Sequence, residues 1–274
     1  MSNITASEVN KLRKATGAGM MDCKNALVEA NGDFELAIEN LRKKGQKVAA
    51  KRADRDSSEG AVIAMVNDDQ TKGVIISLNC ETDFVAKNES FVDLAKSFCK
   101  IALNCSSLDE LLNSAHESMT VSEKLIEQTG VIGEKLEIGA FESVSSEHVG
   151  FYIHAGNKIA TLAGLSNKFE NVSDVSKNVA MQVAAMNPIA LNEDSVSKEV
   201  IEKEIEIAKE QLRAEGKPEA MLDNIAKGKL KKFFKDNTLV KQAYIKDNKS
   251  SVENYIQSEN NECVITDFKR VALV

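Results

Sequence analysis

The sequence contains no tryptophan, and only 5% of its 274 residues are aromatic. Proteins that bind single-stranded nucleic acid without sequence preference stack the bases on aromatic side chains, so this composition argues against such a surface. The net charge is acidic, −7 at pH 7. A general nucleic-acid binder needs a basic surface to neutralise phosphates. We therefore expect no stable binding of nucleic acid.

Cysteine and histidine are scarce and lack the spacing of metal or redox motifs. The five cysteines include no C-x-x-C pair, and their odd number suits reduced thiols in a cytoplasmic protein. The three histidines form no H-E-x-x-H or similar metal-binding pattern. The spacing of the polar residues indicates no nucleophile–base pair and no carboxylate dyad. We expect no metal, no cofactor and no catalytic residue.

Long apolar runs are also missing. No stretch approaches the roughly 18 apolar residues of a membrane-spanning helix, and the N-terminal stretch MSNITASEVNKLRK lacks the apolar segment of a signal peptide. Hydrophobic residues make up 43% of the chain and charged residues 28%, as in ordinary globular proteins. The length suggests two to four modules. We expect a cytoplasmic protein without membrane contact.

The first part of the chain predicts three short helices. A capping box, TASE, opens the first helix, and Asp33 is placed to cap the third. The third helix carries an apolar stripe at helical spacing and is predicted to stop at Gly45. The sequence therefore predicts a three-helix domain over 1–45, followed by a polar, mostly basic linker over 46–58.

The stretch TGAGMM joins the first two of these helices. It lacks the G-x-x-x-x-G-K-[ST] pattern and does not follow a strand, so it predicts a turn and not a phosphate loop. Met20 and Met21 are adjacent, and one helix cannot bury both in its own core. We expect at least one of them to be exposed, as flexible methionine often is at partner surfaces. The residues alone leave partner contact and core packing equally open.

The hydrophobic period changes after the linker. Two strand-like runs, GAVIAMV and GVIISLNC, are joined by a polar segment and predict a β-hairpin. A helix and a further strand follow, which predicts an α+β layer over 59–142. A similar pattern of two strands and a helix recurs in 143–188. The run ECVITDFKRVALV predicts a strand that returns to an earlier sheet, so the second layer is predicted to be discontinuous, over 143–188 and 235–274.

Residues 189–234 predict a hairpin of two helices. The first helix has a coiled-coil-like seam at spacings of 4, 3 and 4, formed by Ile201, Ile205, Ala208 and Leu212. Two antiparallel helices of this length cannot bury both apolar faces alone. The hairpin therefore needs either the parent domain or a partner.

The stretch NCETDFVAKN lies between a strand-like and a helix-like run. It places Asp83 and Phe84 where a polar turn residue would be ordinary. Counting alternate residues from Leu78 directs Phe84 inward and favours a core role, whereas binding residues often lie on loops. The residues alone leave both roles open for Phe84. For His154, which follows another strand-like run, they favour a structural role.

Two long motifs resemble those of a known family. LRKATGAGMMDCKNALVEANGDFELAIENLRKKG resembles the N-terminal signature of bacterial elongation factor Ts, and CETDFVAKN resembles the second signature of that family. The similarity continues through YIHAGNKIATL, AAMNP and EGKPEAMLDNIAKGKLKKFF. The resemblance implies an α+β fold with an N-terminal three-helix ubiquitin-associated-like domain, a two-subdomain α+β core and a protruding antiparallel helical hairpin.

The resemblance implies a guanine-nucleotide exchange factor of translation elongation. Members of the family bind elongation factor Tu in its GDP and nucleotide-free forms. An Asp-Phe pair enters between two helices of that partner, disturbs its Mg²⁺ and phosphate site and promotes release of GDP, and GTP then displaces the factor. The matching pair here is Asp83 and Phe84, flanked by Thr82 and Val85. No chemical bond changes, so the resemblance implies that the chain is not an enzyme.

The resemblance also assigns contacts with elongation factor Tu to seven further residues: Arg13, Met20, Met21, Lys24, Ile132, Gly133 and His154. Homodimerisation through the helical hairpin is a further expectation. Enterobacterial members continue past the last core strand into a C-terminal helical module. This sequence ends at FKRVALV, so we expect that contact to be missing.

Two other classes of function stay open. A nucleic-acid-binding adaptor would use the basic linker, although the acidic net charge counts against it. A helix-binding scaffold would use the N-terminal three-helix bundle.

Overall fold

The computed structural model describes residues 4–273; residues 1–3 and 274, which fall in the first and last predicted domain ranges, lie outside it. Three helices open the described chain: α1 (Ala6–Thr16), α2 (Met20–Glu29) and α3 (Phe34–Arg52). The Thr5 hydroxyl accepts a hydrogen bond from the backbone N–H of Glu8, and the Glu8 carboxylate accepts one from the N–H of Thr5 at 2.8 Å. The predicted capping box is confirmed.

Helix α3 does not stop at Gly45, as the sequence analysis predicted, but continues to Arg52. The first half of the predicted linker 46–58 is therefore helical. Glycine inside a helix costs roughly 1 kcal/mol relative to alanine. For that reason Gly45 was interpreted as the end of the helix. Gly45 is buried where α3 crosses another helix, so it serves tertiary packing and does not end the helix.

The next nine elements form the first core: β1 (Glu59–Val66), β2 (Lys72–Cys80), α4 (Asp83–Ala86), α5 (Glu89–Ala102), α6 (Leu108–Asn113), β3 (Ala115–His116), β4 (Met119–Thr120), α7 (Val121–Ile132) and β5 (Glu137–Ser145). Strands β1 and β2 form the predicted antiparallel hairpin, and β5 pairs with the other edge of β2. Phe91 and Phe98 of α5 are buried against Ile76 and Leu78 of β2, in one hydrophobic cluster. The sequence analysis expected a single helix between β2 and β5.

Helix α7, which that expectation missed, attaches the N-terminal helices to the first core. It begins with a capping box formed by Thr120 and Glu123, the signal that would have predicted it. It crosses α3 so closely that a Cβ atom added to Gly130 would lie 2.4 Å from the Cα atom of Gly45. Val131 packs against the hydrophobic core of the three-helix bundle.

The remaining elements form the second core and the helical hairpin: β6 (His148–Ile153), β7 (Ile159–Leu165), α8 (Val172–Met186), a 3₁₀ turn (Glu193–Ser195), α9 (Lys198–Ala214), α10 (Glu219–Asn237), β8 (Ala243–Tyr244), β9 (Asp247–Ser251), α11 (Val252–Glu259) and β10 (Ile265–Ala272). Strand β10 pairs with β7, so the late strand returns to an earlier sheet, as predicted. The order of this antiparallel sheet is β10-β7-β6. Helix α8 buries Val175, Val179 and Val183 in the second core.

The two sheets also pack against each other, with Val62 and Ile75 in the same buried cluster as Ala160 and Leu162. Helices therefore cover one side of each sheet, while the other sides meet. The described residues combine helices with two antiparallel three-stranded sheets, and the predicted α+β class is confirmed.

Helices α9 and α10 pack side by side and bury part of the predicted apolar seam. Ala208 and Leu212 of α9 are buried, as are Leu222 and Ala226 of α10. Two ion pairs join the helices on the outside, Lys209 with Asp223 at 2.9 Å and Arg213 with Glu219 at 2.8 Å. At the other end of the hairpin, Phe234 packs with Ala190 and Val196. The segment that leads into α9 thus covers this end of the apolar face.

We predict that Gly130→Ala destabilises the protein by roughly 1–3 kcal/mol, the usual cost of overpacking, because the new methyl group would collide with the backbone of α3. Gly228→Ala is the matched control, because a Cβ atom at this glycine of α10 meets nothing within 4 Å. It should stabilise by up to about 1 kcal/mol. Urea unfolding measures both variants, and equal stabilities would contradict a close helix crossing.

Candidate protein-binding surface

The loop after β2 turns directly into the one-turn helix α4. Thr82 is the last extended residue, and its hydroxyl lies 3.5 Å from the backbone nitrogen of Val85. Asn88 then begins α5, its side chain accepting a hydrogen bond from the backbone N–H of Ser90 at 3.0 Å. Phe84 therefore lies on a helical turn and not on an extended strand. Counting alternate residues from Leu78 gave the wrong direction because the strand ends at Cys80.

Phe84 points away from the protein, with 84% of its surface exposed. Its neighbours face the other way: Ala86 is buried and Val85 is partly buried, and both pack in the first core. Burying a phenylalanine side chain is worth about 1.5–3 kcal/mol, and the free protein does not obtain this energy. One side of α4 thus fixes the turn to the core while the other presents a large apolar ring to solvent.

Asp83 forms an ion pair with Lys87, one helical turn further along the chain. The Lys87 ammonium donates a hydrogen bond to the Asp83 carboxylate and lowers the pKa of that group. Asp83 is therefore ionised at neutral pH, and its carboxylate contacts the turn that carries Phe84. The ion pair with Lys87 therefore gives Asp83 a structural role that needs no bound metal ion.

Ile132 and Gly133 lie where α7 ends, next to this loop. Gly133 has φ +82°, a left-handed conformation that suits glycine, and its N–H donates to the carbonyl of Thr129 at 2.9 Å. The following residue, Glu134, accepts a hydrogen bond from the Thr82 hydroxyl at 2.6 Å. The structure therefore brings 132–133 together with the loop 82–85.

The other predicted contact residues lie on the surface of different elements. Both methionines at the start of α2 are exposed, Met20 by 54% and Met21 by 63%, so the expectation that at least one would be exposed is confirmed. Arg13 and Lys24 are exposed on α1 and α2. His154 is exposed after β6, with its Nδ1 atom 3.0 Å from the Tyr152 hydroxyl. Within the part of the chain that the structure describes, no hydrogen bond or ion pair joins these residues to the loop.

Two acids that the sequence analysis did not single out join the loop to the residues after α7, Glu81 and Glu134. The hydrogen bonds between these two segments join residues 52 to 54 positions apart, and the bond of Arg52 to Glu81 joins residues 29 positions apart. No local spacing therefore indicates these acids. Glu134 does belong to the VIGE stretch, but only Ile132 and Gly133 were matched there. These acids become recognisable only when the two segments are seen side by side.

Among residues 4–273, no group of three or more His, Cys, Asp or Glu side chains is placed to hold a metal ion. None of the helices there has the length and hydropathy of a membrane span. The five cysteines are buried free thiols, and burial raises the pKa of Cys99 to about 12, which makes it a poor nucleophile. A cavity of about 530 Å³ opens between α11 and the segments that flank the hairpin, and no predicted site residue lines it.

We predict that Phe84→Ala changes the free energy of unfolding by less than about 0.5 kcal/mol, because the ring makes little contact with the folded protein. Phe98→Ala is the comparison, because Phe98 is fully buried in the first core and its truncation should cost about 3–5 kcal/mol. Urea unfolding distinguishes the two positions. A loss at Phe84 as large as that at Phe98 would show that the ring belongs to the core.

Comparisons with known proteins agree on one family. The family model described as "Elongation factor TS" matches residues 81–273, a range that includes the loop. Elongation factor Ts of Christiangramia forsetii is 66% identical over 273 residues, and that of Flavobacterium psychrophilum 63% identical over 273 residues, each match covering 100% of both chains. Elongation factor Ts of Porphyromonas gingivalis strain W83 is 43% identical over 273 residues, or 98% of both chains. The chain belongs to the elongation factor Ts family.

Proposed function

We propose that the protein is a guanine-nucleotide exchange factor that acts on elongation factor Tu in the cytoplasm during translation elongation. Membership of the family supports the role of nucleotide exchange factor. The observation that supports the mechanism is Phe84, an apolar ring that is 84% exposed on a turn fixed to the core. The exposed pair Met20 and Met21 supplies a second apolar surface for the same partner.

An exchange factor works by binding the nucleotide-free partner more tightly than the GDP-bound partner. Equal affinity for the two states would shift no equilibrium, however tight the binding. Thermodynamic reciprocity then requires that GDP or GTP weakens the binding of the factor by the same ratio. GTP therefore displaces the factor at the end of the exchange. No covalent bond changes, and the proposal gives the chain no enzymatic activity.

Phe84 provides the required difference if it acts as a wedge, that is, if it enters the partner only after two helices there have moved apart. Full burial of the ring is worth about 1.5–3 kcal/mol, which corresponds to roughly 10- to 100-fold in the ratio of affinities. Mg²⁺ and its ligands hold the nucleotide phosphates in GTP-binding proteins. Moving those ligands therefore weakens the binding of GDP.

Asp83 has a role in the free protein that does not depend on Mg²⁺. Its pairing with Lys87 braces α4, a helix of one turn that is too short to be stable alone. We assign Asp83 to shaping the turn, and any effect on the Mg²⁺ site of the partner follows from the position of Phe84.

The remaining predicted contacts complete the proposed surface. Ile132 and Gly133 contact the partner beside the loop, the exposed residues Arg13 and Lys24 flank the methionines, and His154 contributes from the second core. We also propose the domain layout that the resemblance implies: a ubiquitin-associated-like domain, a core of two subdomains and a protruding hairpin. A homodimer through the hairpin would be measured by sedimentation of the chain with and without residues 190–234.

The nucleic-acid adaptor gains no support from the described residues. Half of the basic linker is part of helix α3, and Arg52 is already paired with Glu81 at 2.7 Å. Lys44, just before the linker, is paired with Asp22. Capture of a stoichiometric partner of the size of elongation factor Tu that GDP releases would also separate the exchange factor from a helix-binding scaffold.

We predict that Phe84→Ala lowers the stimulated release of a fluorescent GDP analogue from elongation factor Tu by at least about tenfold, because about 1.5–3 kcal/mol of differential burial is lost. Val264→Ala is the control. Val264 is an apolar residue directly before β10, is 58% exposed and lies outside the proposed surface. Stopped-flow fluorescence measures both variants. Unchanged release with folded Phe84→Ala protein would contradict the wedge.

A further inference from the structure

Both carboxylate oxygens of Glu134 accept hydrogen bonds from the start of the loop that carries Phe84. One oxygen, Oε2, accepts hydrogen bonds from the backbone N–H groups of Glu81 at 3.1 Å and Thr82 at 3.0 Å. The other oxygen, Oε1, accepts one from the Thr82 hydroxyl at 2.6 Å. These groups lie beyond Asn79, where the pairing of β2 with β5 ends. A charged acceptor thus replaces the missing strand partner, and such hydrogen bonds are about twice as strong as neutral ones.

Glu81 makes the reverse interaction. Its Oε1 atom accepts a hydrogen bond from the backbone N–H of Lys135 at 2.6 Å. Each of the two segments therefore supplies one carboxylate that binds the backbone of the other, the reciprocity of a capping box between distant parts of the chain. We call the four residues Glu81, Thr82, Glu134 and Lys135 the carboxylate clasp.

The N-terminal bundle also contacts the clasp. Arg52, the last residue of α3, places its Nη1 atom 2.7 Å and 2.8 Å from the two carboxylate oxygens of Glu81. Burial opposes ionisation of Glu81, but the N–H of Lys135 and the guanidinium of Arg52 outweigh it and lower the pKa of this carboxyl. The side chain of Glu81 is only 16% exposed. Glu81 is therefore charged and has little room to move.

We propose that Glu134 and Glu81 are positioning residues for nucleotide exchange. The clasp fixes the direction in which Phe84 leaves the first core, and neither acid needs to touch the partner. The inference rests on the proposed function of Phe84 as a wedge. It differs from a purely structural role, in which loss of the clasp would lower stability but leave the folded protein fully active.

Val85 and Ala86 attach one side of the turn to the first core, but the local chain alone does little to fix the direction of the loop. Helix α4 has one turn, and isolated helices of that length are unstable. The capping contact of Thr82 with Val85 is long, at 3.5 Å. Without the Glu134 carboxylate, the N–H groups of Glu81 and Thr82 would bind water, and Phe84 would take up several directions. If the Phe84 ring samples several directions, only a fraction of its encounters with the partner bring it to the proposed binding site.

The first experiment measures the loop in the free protein and needs no partner. The chain has no tryptophan, so Phe84→Trp gives a single fluorescent reporter at the tip of the loop. In this background, Glu134→Gln should increase the amplitude of the fast component of the anisotropy decay, which reports local motion of the indole and is faster than tumbling of the whole protein. Glu147→Gln is the matched control, since among residues 4–273 no hydrogen bond or ion pair uses this exposed side chain. An indole as restrained in Glu134→Gln as in Glu147→Gln would overturn the inference.

The second experiment is a double-mutant cycle in the exchange reaction. Glu134→Gln should lower stimulated GDP release on the order of tenfold, as expected for a misplaced group, and should have little further effect in a Phe84→Ala background. Thr82→Ser keeps the hydroxyl and should retain release, whereas Thr82→Val should lose part of it. Effects of Glu134→Gln and Phe84→Ala that multiply would show that Glu134 acts independently of the ring and would overturn the inference.

The two experiments separate the inference from the proposed function. If Phe84→Ala leaves release unchanged, the wedge fails, and the role of the clasp in exchange fails with it. The anisotropy measurement still decides whether the clasp holds the loop. Circular dichroism melting of every variant ensures that a lost rate is measured on folded protein.

Discussion

The close crossing of helices α3 and α7 is the contact on which the arrangement of the proposed surface depends. The crossing depends most on Gly130, since a Cβ atom there would lie 2.4 Å from the Cα atom of Gly45. A Cβ atom on Gly45 would also be close, at 3.1 Å from the carbonyl oxygen of Ile126. The crossing brings Val131 to the core of the bundle and lets the end of α3 deliver Arg52 to Glu81. A three-helix bundle of this size has little stability of its own, and here it gains a second buried face.

The structure of the loop explains why the apolar ring of Phe84 is exposed to solvent. The first core is complete without the ring, because Val85 and Ala86 fill the space beside α5 and the two strands of the hairpin. The hydrogen bonds of Thr82 to Glu134 also join the base of this turn to the residues after α7. The free energy of burying Phe84 thus remains available for a partner, and the cost of orienting the loop has already been met during folding.

Local sequence patterns predicted the elements better than they predicted the site. The capping box of α1, the hairpin of β1 and β2, and the run that forms the last strand all follow from signals within a few residues of each other. Gly45 was misread as a stop because its role depends on Gly130, 85 positions along the chain. The residues alone left the direction of Phe84 open, and the alternate-residue count pointed inward because it was carried past Cys80, where β2 ends. Resemblance to a family, and not periodicity, indicated that the ring is exposed.

Glu81 and Glu134 were missed for the same physical reason, and that reason bears on how exchange could work. A local cap restrains a turn relative to its own helix, whereas a carboxylate from a distant segment restrains it relative to the whole molecule. In the proposed function, the apolar ring meets the partner while the methionines on α2 and the turn at Gly133 are also in contact. Fixed distances between such contacts make the second and third contacts effectively intramolecular. Nonlocal acids therefore convert one exposed phenylalanine from an isolated apolar residue into part of a surface of defined shape.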